Sequence, residues 1–336
     1  AKLAHQENLA PAVALALQRA GVAPDQLSAV AVTIGPGLAP ALEVGLKFAQ
    51  QFCEQHQLPL IPANHLEGHV CSVLAQPKKR SETANTRSAT VAPPPTDSKL
   101  KLPVLAIVVS GRNTLFVTVE KNVIGTTDAE VSRQNLERQP RLGLDTSTAD
   151  TPWKPAFTYT VLGRTLDDAA GECLDKVGRM LNLGYPAGPV VEIFAKQGDP
   201  KRYSFPLPLT QTKTFDLSYS GIKTHSRNLL TELGGIEALT KQDIYDFCAS
   251  LQYAVFRHIN YKLEKVLQES GQLYHEVWLS GGAAANIALR SSIRQTLRAY
   301  AKQQSLPTLI LRTPYSKKLC GDNAAMIGIV PFPSHH

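Results

Sequence analysis

The chain has 336 residues, of which 43% are hydrophobic and 19% charged, as in an ordinary globular protein. Its formal net charge of +7 permits a nucleic-acid partner without requiring one. No run of about 18 apolar residues occurs, so the sequence predicts no membrane-spanning helix and no membrane partner. The five cysteines are scattered and form no CxxC pair, which favours free thiols in a reducing compartment over a disulfide framework.

Helix and strand patterns alternate in the first part of the chain. An amphipathic helix has apolar residues four positions apart from Leu9 to Leu17. A strand-like run at residues 29–34 leads into the turn Gly35-Pro36-Gly37 and a second helix, and residues 59–63 form another short strand. This alternation predicts an α/β fold.

Residues 76–102 differ from the rest in composition. They are rich in Pro, Ser, Thr and Lys, and they carry six basic and two acidic residues. We expect a disordered insertion here, with its charges in solvent. Two strands joined by a turn are predicted after it, at residues 103–109 and 115–119.

Longer helices are predicted in the second half of the chain. One covers about residues 166–183, and its apolar stripe begins at Leu166. The longest begins after the N-cap Thr240 and ends at Gly271. We also predict a strand at residues 276–279, a helix after the turn Ser280-Gly281-Gly282, a strand at 308–311 and a helix at 323–329.

Two histidines four residues apart are the sharpest local signal. His65 and His69 lie about 40° apart around a helix, so both imidazoles are able to approach one metal ion. The metalloprotease motif is excluded, because it requires Glu directly after the first His, whereas Glu67 comes two positions later and points away from the metal face. The alternative is a pair of ordinary surface histidines.

A third metal ligand must come from elsewhere in the chain. Asp322 follows a predicted strand and precedes a predicted helix. It is either the N-cap of that helix or a carboxylate ligand, and sequence spacing leaves both interpretations open.

Three glycine-containing turns follow predicted strands, at Gly35-Pro36-Gly37, Ser110-Gly111 and Ser280-Gly281-Gly282. Glycine lets backbone amides approach a phosphate, and a helix N-terminus favours negative charge. One such turn is weak evidence, whereas three in one α/β chain favour a nucleotide site.

The helix predicted near residues 166–183 has a polar stripe formed by Asp168, Glu172, Asp175 and Arg179. One interpretation is a solvated face with ion pairs between successive turns. The other is a ligand with many hydroxyl groups, with Asp175 accepting hydrogen bonds from ribose.

Taken together, these segments resemble the tRNA threonylcarbamoyladenosine transferases, formerly called O-sialoglycoprotein endopeptidases. The resemblance covers nearly all of the chain except residues 76–102 and about 120–160. The motifs that carry it, in chain order, are Val32–Leu38, Asn64–His69, Val108–Gly111, Leu166–Glu172 with Asp175-Lys176, Tyr185–Pro189, Ser220–Thr224, Ser280–Gly282 with Ala285-Asn286, and Asp322–Ile327.

The resemblance implies an actin-like α/β fold of two lobes, of the sugar-kinase and Hsp70 type. It implies one divalent metal per subunit, Zn or Fe, held by His65, His69 and Asp322. It implies threonylcarbamoyl adenylate and tRNA as substrates, AMP as the released product, and either a homodimer or a complex with family partner subunits. The adenylate would be bound by Val108, Val109, Ser110, Gly111, Arg112, Asp175, Gly188, Gly281, Gly282 and Asn286.

The chain departs from the family pattern in several places. The usual Gly-Gly-His-Thr is Gly111-Arg112-Asn113-Thr114 here, so an Arg side chain is expected to crowd the nucleotide. Ala187 replaces a second Gly. The first strands and the phosphate-facing loop of the family are expected to precede residue 1. We therefore expect an incomplete N-terminal lobe at residues 1–110 and a C-terminal lobe at residues 111–336.

Three alternative functions follow from the same residues. A small-molecule kinase of this fold would use the glycine turns but not His65 and His69. A metallopeptidase lacks a suitably placed Glu. A non-catalytic subunit that binds adenylate or tRNA would tolerate Arg112.

The His-Leu-Glu-Gly-His motif is similar to the bacterial and mitochondrial branch, and a Pro-rich basic insertion is typical of eukaryotic chains. We therefore expect the mitochondrial matrix, with the bacterial cytoplasm as the alternative.

Overall fold

The computed structural model describes residues 2–77, 100–122 and 156–330. The predicted disordered insertion at 76–102 therefore falls largely on residues 78–99, outside the described part. The strands are β1 (Val30–Gly35), β2 (Leu60–Asn64), β3 (Val104–Val109), β4 (Thr114–Lys121), β5 (Phe157–Arg164), β6 (Glu276–Ser280) and β7 (Ile310–Arg312). The helices are α1 (Lys2–Ala20), α2 (Ala39–His56), α3 (His65–Cys71), α4 (Ala170–Met180), α5 (Gly188–Ala195), α6 (Ser220–Glu232), α7 (Lys241–Glu269), α8 (Ile287–Gln304) and α9 (Ala324–Gly328).

The described residues form two compact units. Unit 1 takes its residues from the ranges 1–100, 121–159 and 314–336, and unit 2 from 101–120 and 160–313. This division differs from the boundary expected at residue 110. The physical reason is that β3 is the middle strand of the sheet of unit 2, where it pairs with β4 and β6.

Unit 1 is built on the parallel pair β1–β2, in which Val30 lies opposite Leu60 and Thr33 opposite Ala63. Helix α2 connects the two strands, as a parallel crossover requires. Ala63 at the end of β2 packs in a buried cluster with Met326 of α9 and other apolar residues. This cluster brings the last helix of the chain to the end of β2.

Unit 2 is built on a five-stranded sheet in the order β5-β4-β3-β6-β7. Strand β3 pairs antiparallel with β4 and parallel with β6, and β6 pairs parallel with β7. Every residue of β3 has a relative exposure of 0%, which explains its unbroken run of apolar side chains. Because β3 and β6 are parallel, their carboxyl ends and the turns that follow them lie at one edge of the sheet.

Helix α7 confirms the prediction that the longest helix begins after Thr240. The Thr240 side chain accepts a hydrogen bond from the backbone N–H of Asp243, and Gly271 beyond the helix has a φ of +71°. No helix within residues 2–77, 100–122 and 156–330 is long and apolar enough to cross a membrane.

The start of the helix predicted at residue 166 is wrong, because α4 begins at Ala170. Residues before it form a loop in which Thr165 N–H donates to the carbonyl of Thr114, and Leu166 N–H to that of Leu217. Leu166 is 53% exposed and is not part of the apolar stripe. These long-range hydrogen bonds compete successfully with the helix. Strand β5 and helices α5 and α6 were not predicted.

Candidate metal centre and nucleotide site

Helix α3 holds both predicted histidines in unit 1. Its first turn is capped by Asn64, whose Oδ1 accepts from the N–H groups of Leu66 at 2.8 Å and Glu67 at 3.2 Å. The helix begins at His65, so residues 65 and 69 share one face, as predicted, and their ring centroids are 4.8 Å apart.

Helix α9 brings Asp322 to the histidines. Gly68 allows this approach, since a Cβ at that position would lie 2.9 Å from Cδ1 of Ile327 and 3.3 Å from the carbonyl oxygen of Met326. Asn323 caps α9 by accepting from the N–H of Met326 at 2.9 Å. Asp322 is therefore not the N-cap, and its carboxylate is left available as a ligand.

The three side chains form a compact donor set. Oδ1 of Asp322 lies 3.4 Å from Nε2 of His65 and 3.1 Å from Nε2 of His69, and the ligand atoms all lie within 4.8 Å of one another. Two ligands about 2.1 Å from a tetrahedral ion are separated by about 3.4 Å. The two carboxylate–imidazole distances match that spacing, and two imidazoles with one carboxylate suit the chemistry of a divalent ion such as Zn or Fe.

Burial and charge differ across this set. The side chain of His69 is 1% exposed, that of His65 21% and that of Asp322 76%. The pKa of Asp322 is held far below its usual range because both imidazoles lie against its Oδ1, His65 first and then His69. The carboxylate is ionised at any physiological pH and available to a cation.

Glu67 belongs to a different environment. It is fully buried, and its Oε1 accepts a hydrogen bond from the hydroxyl of Tyr159 at 2.9 Å. This hydrogen bond connects the carboxylate to the start of β5. It agrees with the prediction that Glu67 points away from the face of the two histidines.

The remaining ten predicted site residues lie in unit 2. Val108 and Val109 are fully buried in β3, so they offer a ligand only backbone groups. Ser110 closes the turn after β3. Its N–H donates to the carbonyl of Asn113 at 2.7 Å, and its hydroxyl oxygen accepts from the N–H of Asn113 at 3.0 Å. Gly111 is exposed, and a Cβ there would meet no atom within 4 Å.

Gly281 fits closely against β3. Its φ is +87°, and a Cβ would lie 2.5 Å from the carbonyl oxygen of Val109. At Gly171 of α4 a Cβ would lie 2.7 Å from the carbonyl oxygen of Ser110, to which the Gly171 N–H donates at 3.2 Å. Only glycine fits at these two positions. The structure therefore brings the turns after β3 and β6 and the start of α4 together, and Gly282 follows in the open part of its turn.

Asp175 connects α4 to the start of α5. Its Oδ1 accepts from the N–H of Ala187 at 2.9 Å and from that of Gly188 at 2.8 Å. Asp175 and Gly188, predicted separately, are thus direct neighbours.

Asn286 is 7% exposed and caps α8. Its Oδ1 accepts from the N–H of Ala288 at 2.9 Å and from that of Leu289 at 3.2 Å, while its Nδ2 donates to Gln252 at 2.8 Å. The side chain has a structural role in holding the segment after β6. Any contact with a ligand would add to these bonds.

Arg112 is exposed at the turn between β3 and β4. Its backbone N–H donates to the hydroxyl oxygen of Ser110 at 3.3 Å. The turn accommodates the Arg that replaces the usual Gly, and the crowding of a nucleotide stays a prediction.

Asp167 and Asp168 lie just before α4, and the sequence did not predict their partners. Asp167 caps α6 by accepting from the N–H groups of Tyr219 at 2.7 Å and Ser220 at 3.2 Å. Asp168 lies between the ammonium groups of Lys176 and Lys223. The repeated Asp-Asp was visible in the sequence, but nothing in it pairs residue 168 with residue 223.

Comparisons with known proteins agree with the geometry. A family model for tRNA N6-adenosine threonylcarbamoyltransferase matches residues 1–150 and 153–329. Proteins of that name from Enterococcus faecalis and Phocaeicola vulgatus are each 34% identical to this chain, over 330 and 333 residues. The alignments cover 98% and 99% of this chain and 75% and 80% of the relatives.

Among solved structures, the chain is similar to the crystal structure of T. kodakarensis HypF, with a TM-score of 0.49 and 15% identity, covering 91% of this chain and 40% of that one. The family match extends through both units. The chain belongs to the tRNA N6-adenosine threonylcarbamoyltransferase family and has its actin-like α/β fold.

Proposed function

We propose that this chain transfers the threonylcarbamoyl group from threonylcarbamoyl adenylate to the exocyclic amine of the adenosine 3′ of the anticodon, releasing AMP. The tRNAs are those that read codons beginning with A. The observation that carries the proposal is the family match over residues 1–150 and 153–329, which includes every candidate site residue.

His65, His69 and Asp322 are the proposed ligands of one divalent metal, Zn or Fe. The bound ion would supply Lewis-acid polarisation of the carbamoyl group. The exposed carboxylate of Asp322 and the buried ring of His69 support the assignment, because they leave one side of the donor set open to a substrate.

The residues of unit 2 are proposed to bind and orient the adenylate. Backbone amides at the turns containing Ser110 and Gly281-Gly282 are suited to a phosphate, since the glycines keep side chains out of the way. Asp175 is proposed to accept from the ribose hydroxyls through the oxygen that does not cap α5. Fixed donors of this kind lower the entropic cost of bringing the amine and the carbamoyl carbon together.

Three further assignments are proposals that rest on the family resemblance. The substrates are threonylcarbamoyl adenylate and tRNA, the assembly is a homodimer or a complex with family partner subunits, and the compartment is the mitochondrial matrix or the bacterial cytoplasm. Light scattering of the purified chain with and without partner subunits checks the assembly, and imaging of a tagged chain in its own cells checks the compartment.

The test of function is a transfer assay. The chain, together with family partner subunits, is mixed with threonylcarbamoyl adenylate and an unmodified tRNA that reads a codon beginning with A, and the digested nucleosides are weighed. We expect the threonylcarbamoyl mass on adenosine. A folded, metal-loaded chain that binds adenylate or tRNA without forming product would instead be a non-catalytic subunit. ATP turnover that is independent of His65 and His69 would indicate a kinase.

A further inference from the structure

A concave site lies in unit 2, between the segment before α6 and the middle of α7. It is a cavity of about 240 Å³. That is below the roughly 300–1,000 Å³ of pockets that enclose a whole small molecule, so it suits one part of a larger ligand. Its lining residues are Pro200, Lys201, Tyr203, Ser204, Phe205, Ser250, Tyr253, Ala254 and Arg257.

The charged residues of this lining are both cations. Lys201 is exposed, and its ammonium has no hydrogen-bond acceptor among the described residues. Arg257 donates from Nη2 to the carbonyl of Phe205 at 2.9 Å, which fixes the guanidinium at the wall. Nε of Arg257 is buried and finds no acceptor in the described part of the chain. The described residues of the lining thus carry two positive charges and no carboxylate that would offset them.

An aromatic ring stands beside the cations. Tyr253 is 47% exposed, and the guanidinium of Arg257 lies 5.8 Å from its ring centroid. Two hydrogen bonds fix Tyr203, because its N–H donates to Ser250 at 3.1 Å and its hydroxyl donates to Asp243 at 3.4 Å. The wall is therefore built before any ligand arrives, with a half-exposed ring beside two cations.

We infer that this cavity binds a backbone phosphate of RNA, with an adjacent base stacked on Tyr253. Lys201 would donate to the phosphate oxygens, and the guanidinium of Arg257 would add its positive charge at the wall. Arg and Lys beside an exposed ring are the combination that binds nucleic-acid strands through backbone and base face together. The inference rests on the proposed function in one respect, since it identifies the RNA as the tRNA substrate. The net charge of +7 is in keeping with a polyanionic partner.

The test measures tRNA affinity directly, by fluorescence anisotropy of a labelled unmodified tRNA at several salt concentrations. Lys201→Ala is expected to weaken binding and to reduce the slope of log K against log salt by about one. Tyr253→Ala is expected to weaken binding by about fivefold or more, as the loss of one stacked base does. Tyr253→Phe keeps the ring and is expected to bind like the wild type.

Matched controls are Lys302→Ala, an exposed lysine on α8, and Tyr315→Ala, a tyrosine that is also 47% exposed. Thermal unfolding of each variant confirms that it folds. The inference is overturned if Lys201→Ala and Tyr253→Ala keep tRNA affinity within about twofold of the wild type and of the controls, since a phosphate contact or a stacked base is worth more than that. It is also overturned if these variants lose affinity for inorganic phosphate or AMP and keep their affinity for tRNA, because the occupant is then a small anion.

The assay contains no adenylate and needs no turnover. Failure of the transfer reaction therefore leaves the affinity measurement intact, and normal tRNA affinity in the variants leaves the proposed transferase activity intact.

Discussion

Gly68 lets α3 and α9 pack closely enough for residues 65 and 69 to meet residue 322. A methyl group there would lie 2.9 Å from Cδ1 of Ile327, closer than side chains pack. The glycine costs α3 about 1 kcal/mol of helix propensity relative to Ala, and the short helix tolerates it because its neighbours are buried. The proposed metal site thus depends on a residue that has no ligand atom.

Replacing Gly68 by Val is expected to push α9 away and to lower the affinity for Zn by about 10-fold or more, as the loss of a ligand's supporting contacts does. Overpacking is also expected to cost about 1–3 kcal/mol of stability. Zinc titration and thermal unfolding measure the two effects. The control is Gly45→Ala on α2, where a Cβ meets no atom within 4 Å. It is expected to lower neither the zinc affinity nor the stability. A folded Gly68→Val chain with unchanged zinc affinity would show that the close contact is dispensable.

Asp175 accepts hydrogen bonds at the start of α5 and is also proposed to bind ribose, and substitutions are able to separate these two roles. Asp175→Asn keeps Oδ1 as the acceptor for the N–H groups of Ala187 and Gly188, so stability is expected to change by only about 0.5 kcal/mol. It removes the charge proposed to bind ribose, so the KM for adenylate is expected to rise. Asp175→Ala should show the higher KM and also a loss of about 1 kcal/mol from the cap. Wild-type adenylate kinetics in the Asn variant would assign Asp175 to structure alone.

Helix α7 organises the loop that precedes α6. The ammonium of Lys262 donates to the carbonyls of Leu209 at 3.0 Å and Thr214 at 2.9 Å. One turn earlier, Nε2 of His258 accepts from the N–H of Ser218 at 3.2 Å. Both side chains are fully buried, so each bond is made away from water, where a lost partner costs most.

His258 gives this element a predictable pH dependence. Burial lowers its pKa from 6.5 to about 4, with Lys262 and Arg257 adding to the effect and Asp167 opposing it. Between these pKa values the unfolded chain binds a proton that the folded chain does not. Stability is therefore complete above about pH 6.5 and is lost as the pH falls towards 4, by at most about 3 kcal/mol.

Urea unfolding between pH 4 and 7 measures this loss. His258→Gln keeps an acceptor for Ser218 without titrating, so the difference between the two chains isolates the histidine from other groups. Identical pH profiles for wild type and variant would contradict the assignment.

Elements with a regular apolar pattern were predictable, and those fixed by distant contacts were not. The stripe on α7 and its N-cap Thr240 are local signals, and the structure confirms them. Helix α4 was predicted to start at Leu166, but hydrogen bonds to Thr114 and Leu217 hold that segment as a loop.

For the candidate metal site, too, the local pattern was predictable and the distant contact was not. The spacing of His65 and His69 predicted their shared face, whereas the approach of Asp322 depends on packing between α3 and α9.

On the scale of the whole molecule, the candidate metal ligands all belong to unit 1 and the candidate adenylate residues all belong to unit 2. The family match spans both units, and the proposed reaction assigns a role to each set of residues. Zinc added to metal-free protein should raise the unfolding temperature of the wild type, because it binds the folded state. His69→Ala is expected to lose this shift, and an equal shift in both proteins would place the ion elsewhere.

A measurement of bound metal and product in the same samples tests the proposed metal-dependent transfer. The chain is stripped with a chelator, reloaded with graded amounts of Zn or Fe, and assayed for threonylcarbamoyl transfer to tRNA beside His65→Ala, His69→Ala and Asp322→Asn. We expect product to rise in proportion to the metal bound by the wild type, and we expect the three variants to bind little metal and form little product. Full transfer by stripped protein, or by variants that hold no metal, would contradict this proposal.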